Sequence, residues 1–260
     1  MPGGPADGAP HATVRGMSRT AIFGDAGRDL LLGTTCAGCG APGRLLCGCC
    51  WVALPRHGRP AWPTPTPPGL ATPFAAGVYD GLLKALVNRH KEHAAFALAG
   101  PLGRVLCDVA EDLLRWVGSG HPTGPVSLVP VPSRPSVVRR RGHDPMLRVT
   151  REAAARLRRH GADAAVGRLL VSTGRVRDQA SLGAGERAAN LRGAMRCRRG
   201  PGPQPGVLLV VDDVITTGST AREAQRALEA AGLPVAGVVA VAATQRQVSG
   251  GSLPFGGPGV

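Results

Sequence analysis

Two groups of residues have the types and spacing to do chemistry. The first runs from Val207 to Thr220: five apolar residues, the acids Asp212 and Asp213, then Val-Ile and the small turn Thr216-Thr217-Gly218-Ser219-Thr220. The apolar run, mostly β-branched, predicts a strand buried on both faces of a parallel sheet. The acids then fall at the strand's carboxyl end, where open α/β sheets bind ligands. The turn leads into a predicted helix ending near Ala231, and it offers hydroxyls, backbone N–H groups and a helix N-terminus. Those are the groups a phosphate needs. A carboxylate pair beside such a turn suits a ligand carrying both a phosphate and a polyol, with Mg²⁺ nearby. The plain alternative is a core strand that ends in a solvated turn, but such a strand has no use for adjacent carboxylates. A P-loop is a weaker rival, because no Gly-Lys-Ser/Thr occurs and the only lysines are Lys84 and Lys91, far upstream.

The second group is Cys36-Ala-Gly-Cys39 and Cys47-Gly-Cys-Cys50, two C-x2-C knuckles seven residues apart. Four thiolates at this spacing close a tetrahedron around Zn²⁺, and the intervening loop is too short for a core of its own. Cys49 is a spare that competes with Cys50. Disulfides are the rival reading, and the odd total of seven cysteines weighs against them. A four-thiolate site is closed, so its expected role is to organise the fold. Cys107 and Cys197 read as small apolar packing residues.

The elements that must position these groups follow from pattern and composition. At 260 residues the chain accommodates one α/β domain and a small accessory module. Residues 1–28 are expected as a disordered extension, 29–54 as the cysteine module, 55–73 as a proline-rich linker, 74–246 as the α/β domain and 247–260 as a disordered tail. Helices are expected near 80–99, 102–118, 145–160 and 220–231, and strands at 126–131, 168–172, 207–211 and 235–242. Their alternation implies a parallel sheet flanked by helices. Asp144 before Pro145 suits an N-cap followed by proline at the first helical position. Thr220 with Glu223 matches a capping box. The net charge of +14 comes almost wholly from arginine and favours polyanionic partners. Aromatics make up 3%, too few to announce a stacking platform for single strands. No apolar stretch reaches spanning length and no signal-peptide core stands at the N-terminus, so no membrane insertion and a cytoplasmic location are expected.

Residues 207–220 resemble the ribose-phosphate signature of the type I phosphoribosyltransferases, which bind phosphoribosyl pyrophosphate (PRPP). The order of motifs over residues 28–245 is similar to that of the ComF family of competence-associated proteins. Asp29-Leu-Leu-Leu leads into the cysteines; Tyr79, Gly81, Lys84, Leu86, Val87 and Lys91 match the segment after the linker; Leu128-Val-Pro-Val-Pro132 matches the first core strand. Arg141-Gly142-His143-Asp144 matches the following loop, where relatives more often carry Arg-Gly-Phe/Tyr-Asn. Arg177, Gln179, Arg187, Asn190, Leu191 and Gly193 match a further stretch.

The resemblance implies a type I phosphoribosyltransferase-like sheet with an N-terminal four-cysteine zinc module on Cys36, Cys39, Cys47 and Cys50. It implies that Asp212 and Asp213 hold the ribose, directly or through Mg²⁺-bound water, as the catalytic pair. Thr216, Thr217, Gly218, Ser219 and Thr220 would wrap the 5′-phosphate. Ser133, Arg134 and Arg141 would meet the pyrophosphate, and Gln179 would reach PRPP from a flap at residues 173–190. Several type I flaps carry a catalytic lysine, and this one has none. Two functions follow. One is transfer of ribose 5-phosphate to a nitrogenous acceptor with release of pyrophosphate. The other is a non-catalytic adaptor of the same fold that binds single-stranded DNA and competence proteins during DNA uptake.

Overall fold

The computed structural model describes residues 35–92, 95–118, 124–133, 137–139, 142–173, 193–198 and 206–244. After a short helix α1 (Gly48–Val52) come β1 (Arg59–Pro60) and β2 (Pro73–Ala75). Two longer helices follow, α2 (Gly81–Glu92) and α3 (Ala99–Val117), the second entered through a 3-10 turn at Phe96–Leu98. Then come β3 (Val126–Pro130), α4 (Pro145–Arg159) and β4 (Ala164–Val166). The chain continues through β5 (Leu170–Ser172), β6 (Met195–Cys197), β7 (Val207–Ile215), α5 (Ser219–Glu229) and β8 (Gly237–Ala243).

Six strands form one sheet in the order β1-β2-β8-β7-β3-β4, parallel throughout except for the antiparallel β1–β2 edge. β5 and β6 pair separately as an antiparallel ribbon. The parallel arrangement needs cover on both faces, and strand alternation supplies it. Leu209 and Val211 of β7 face a core shared with α2, α3 and α4. Leu208 and Val210 face the opposite core, closed by α5 and the β5–β6 ribbon. A two-residue period therefore sends alternate residues of β7 to different helices.

α4 starts as its sequence dictates. Asp144 accepts a hydrogen bond from the Leu147 amide at 3.2 Å, with Pro145 next in line. α5 starts differently from the expected capping box. Its N-cap is Gly218, and Glu223 is buried, accepting the Met195 amide at 3.1 Å and both Nε and an Nη of Arg226. Because the helix begins at Ser219, Glu223 lies a full turn in and faces the ribbon instead of the helix entrance. Its carboxylate thus fastens β6 to α5.

The segment expected as a linker is built into the domain. β1 extends the sheet edge, and residues 61–71 form a strap over the start of α5. Arg222 donates from Nε to the Pro68 carbonyl, and Gln225 exchanges two bonds with Gly69 and Ala71. Proline-rich chain lacks its own donors, so side chains of α5 supply the pairing. The cysteine module rests on α3, where the Arg104 guanidinium lies 5.1 Å from the Trp51 ring centroid and donates to the Leu54 carbonyl.

Candidate functional site

The sheet's connections reverse direction between β3 and β7. From β3 the chain crosses through α4 to β4 on one side; from β7 it crosses through α5 to β8 on the other. α4 and α5 cover opposite faces, so the loops after β3 and β7 part from each other and leave a crevice at the strands' carboxyl ends. β3 stops at Pro130, opposite Val211, while β7 runs on beside β8 to Ile215. Asp212 and Asp213 consequently project from β7 where its β3 neighbour has ended. The strand is four residues longer than the predicted 207–211, because β8 continues alongside and satisfies the backbone past the acids.

The two carboxylates have different surroundings. Asp213 falls on the α2 face, where Lys91 Nζ lies 2.5 Å from its Oδ2. Asp212 follows the alternation toward the α5 face, and its Oδ1 accepts the Asp213 amide at 2.9 Å. Desolvation, reinforced by the Asp213 charge, pushes Asp212 up to about 8; the amide and Lys91 only partly offset this. The rim thus sets two carboxyl groups in unlike surroundings side by side, within reach of vicinal hydroxyls.

The hydroxyl turn adjoins them. Thr217 Oγ1 donates to Ser219 Oγ at 2.9 Å and accepts the Ser219 amide at 3.4 Å. The amides of Thr217 and Gly218 donate to no acceptor among the described residues. Gly218 sits at φ 70°, and a Cβ there would meet Pro63 at 2.9 Å and Leu70 at 3.1 Å. Glycine is required both by the left-handed backbone and by the strap pressed against it. Thr216 is exposed and Thr220 half-buried in the first turn of α5.

Of the residues expected at the pyrophosphate, Ser133 is described: its Oγ donates to Asp144 Oδ1 at 3.3 Å and so supports the α4 cap. Arg134, Arg141, Gln179 and nearly all of the expected flap lie outside the described residues. Lys91 is the residue at the rim to which sequence reasoning gave no role. The signal was present, since only two lysines stand among 31 basic residues and one of them ends the helix before the acid pair's face.

The Sγ atoms of Cys36, Cys39, Cys47 and Cys50 all lie within 4.8 Å of one another. A tetrahedron with ~2.3 Å metal–sulfur bonds has edges of about 3.8 Å, so the group fits a closed metal site. Cys49 is exposed and outside the cluster, which resolves its competition with Cys50. All described cysteines are free thiols. Amides of Cys47 and Cys50 donate to Cys36 Sγ at 3.4 Å and Cys47 Sγ at 3.5 Å, the bonds that stabilise a thiolate knuckle. For Cys36, burial raises the thiol, but N–H donors from Cys47, Cys39 and Gly38 outweigh it and bring it down to about 6. Cys50 is driven up to about 12 by desolvation and by the neighbouring sulfurs. Four adjacent thiols ionise together only with a cation among them. Gly38 admits the closure, since a Cβ there would stand 2.7 Å from Cys50 Sγ and 2.5 Å from Leu82.

A second convergence joins Cys107 and Glu111 of α3 to His160 after α4. His160 Nδ1 and Glu111 Oε1 are 2.6 Å apart, and Cys107 Sγ lies 3.9 Å from each. Burial, with the Glu111 and Asp108 charges, pushes the Cys107 thiol up to about 12. It stays protonated and packs, buried, between α3 and α4 with this polar pair at its side.

No described helix is long and apolar enough to cross a membrane. No protein-family model matches the sequence, and comparison with curated proteins gives no match.

Proposed function

We propose that this chain binds PRPP at the β3/β7 rim as a type I phosphoribosyltransferase-like protein with the motif order of the ComF family, and that it transfers ribose 5-phosphate to a nitrogenous acceptor. The observation that carries the reading is the coincidence of three features at one switch point: the acid pair, the hydroxyl turn and the reversal of the connections. Asp212 and Asp213 hold the ribose hydroxyls. The free amides of Thr217 and Gly218, with the Thr and Ser hydroxyls, take the 5′-phosphate. Mg²⁺ bound with the substrate would neutralise the leaving diphosphate, whose oxygens suit its hard coordination. The C1–O bond breaks with its electrons leaving on pyrophosphate, the acceptor nitrogen forms the C1–N bond, and the acceptor's proton goes to solvent. Zn²⁺ in the four-cysteine cluster organises the module that α1 lays on α3.

Calorimetry with PRPP and Mg²⁺ tests the reading: saturable binding is expected, and a wild-type protein that binds neither PRPP nor ribose 5-phosphate ends it. Pyrophosphate release with a panel of nitrogenous acceptors then separates transfer from binding alone.

A second reading, a non-catalytic adaptor for single-stranded DNA and competence proteins, is favoured by a different surface. Trp116 is 66% exposed against Phe74 of β2, and Trp62, 49% exposed, follows β1 on the same sheet edge. Arg59 and Arg115 are exposed nearby in sequence, the latter paired with Asp112, and exposed aromatic rings can stack bases. Single-strand binding that falls steeply with salt and is lost in Trp62→Ala/Trp116→Ala would establish it; salt-insensitive binding would refute it.

A further inference from the structure

We infer that Lys91 is the cation of the pyrophosphate side of the rim: its ammonium holds Asp213 in the free protein and passes to the diphosphate oxygens of the bound sugar. This rests on the function proposed above and adds to it a lysine from α2, where the expected flap has arginines and no lysine.

The argument is one of placement. Lys91 belongs to the last turn of α2, on the face covered by α3 and α4, while the hydroxyl turn and α5 lie on the other face. Lys91, His90, Pro145, Met146 and Asp213 border a small hollow at the start of α4, whose remaining walls, Val87, Leu102, Val149 and Val241, are apolar. His90 fixes that arrangement, its buried ring nitrogens lying 3.1 Å from the Ala95 carbonyl oxygen and 3.2 Å from that of Pro145. The end of α2 is thereby tied to the start of α4, directly after the loop that leaves β3. A ribose lying across the rim with its 5′-phosphate at the Thr217 turn directs C1 and its leaving group toward this opposite face. The Lys91 side chain is 30% exposed, more than that of its partner Asp213 at 16%.

The residue type fits a transferable charge. Only two of 31 basic residues are lysine, and the other, Lys84, is exposed on the same helix away from the acids. An ammonium is a point charge with rotatable donors and exchanges one anionic partner for another without the fork geometry an arginine demands. A diphosphate carries more negative charge than one carboxylate, which drives the exchange, and Asp213 is freed to accept a ribose hydroxyl.

The test compares PRPP with ribose 5-phosphate, which has the same sugar and 5′-phosphate but no diphosphate. In calorimetry Lys91→Met should weaken PRPP binding on the order of tenfold or more and leave ribose 5-phosphate within about twofold. Lys84→Met, which removes the same charge from elsewhere on α2, should change neither. Lys91→Gln is read in parallel, so that a packing defect in one variant does not decide the result. Equal loss for both ligands, or no loss for either, overturns the assignment while leaving PRPP binding intact. A wild-type protein that binds neither ligand removes the proposed function, and this inference with it.

Discussion

The cysteine cluster and the β3/β7 rim are both places where titratable groups crowd together, yet they are built in opposite ways. Cys36, Cys39, Cys47 and Cys50 come from fifteen consecutive residues and converge through knuckle turns alone. The rim draws Asp212 and Asp213 from β7, Lys91 from α2 and its shape from the departure of α4 and α5 to opposite faces. The first is closed, with four sulfurs near enough to share one ion, whereas the second stays open because its neighbour strand ends early. A local site can serve as structure, and a site assembled from distant segments can leave a position vacant for exchange.

The largest expected effect separates the two regions directly. Substituting Cys36 or Cys50 by Ser should abolish tight zinc binding, a contribution of roughly 10–16 kcal/mol in closed thiolate sites, and expose residues 35–54 to proteolysis. Cys49→Ser should keep about one zinc per chain by elemental analysis. If Cys49→Ser loses the metal instead, the assignment of Cys50 as ligand is wrong.

Next in size is the rim. PRPP at a hundred times its Kd should stabilise the wild type by about 2.7 kcal/mol, and Asp212→Asn/Asp213→Asn should eliminate that gain in thermal melts. Unchanged zinc content in the same variant would show that the two regions are independent. Gly218→Ala should cost about 1–3 kcal/mol in denaturant unfolding, since it strains a left-handed position and pushes into Pro63 and Leu70. It should also weaken PRPP binding, because strap and turn move together; a neutral result would mean the strap is not seated on the turn.

A further contrast lies in the pH dependence of the ligand-free rim. Asp212 is raised in the folded state from the usual 3.8 to about 8, so the stability it contributes is complete below about pH 4. That contribution is lost as pH climbs through about 8. Asp212→Asn should flatten this decline, and wild-type stability that rises between pH 5 and 8 while the variant's does not would contradict it.

What could be read from the residues follows the same division. The strand Val207–Val211, the N-cap at Asp144 and the cysteine spacing are local patterns, and each appears where local physics places it. The capping box at Thr220 failed for a tertiary reason: Glu223 is worth more as a buried partner for the Met195 amide and Arg226 than as an exposed helix cap. The proline-rich segment reads as a linker because its composition lacks donors, and its order comes from Arg222 and Gln225, more than 150 residues away. β4 and β6 escaped notice because three residues carry too little pattern to identify a strand.

By itself the sequence determined what chemistry was on offer: adjacent carboxylates, a hydroxyl-rich turn before a helix and four thiols in two knuckles. These depend on neighbours along the chain, where spacing translates directly into geometry. Only the tertiary structure decided which faces the two acids occupy, that Lys91 guards one of them, and that a strap presses on Gly218. Those contacts join segments about 120 and 150 residues apart, and the parallel sheet, whose order no local pattern encodes, sets their distances.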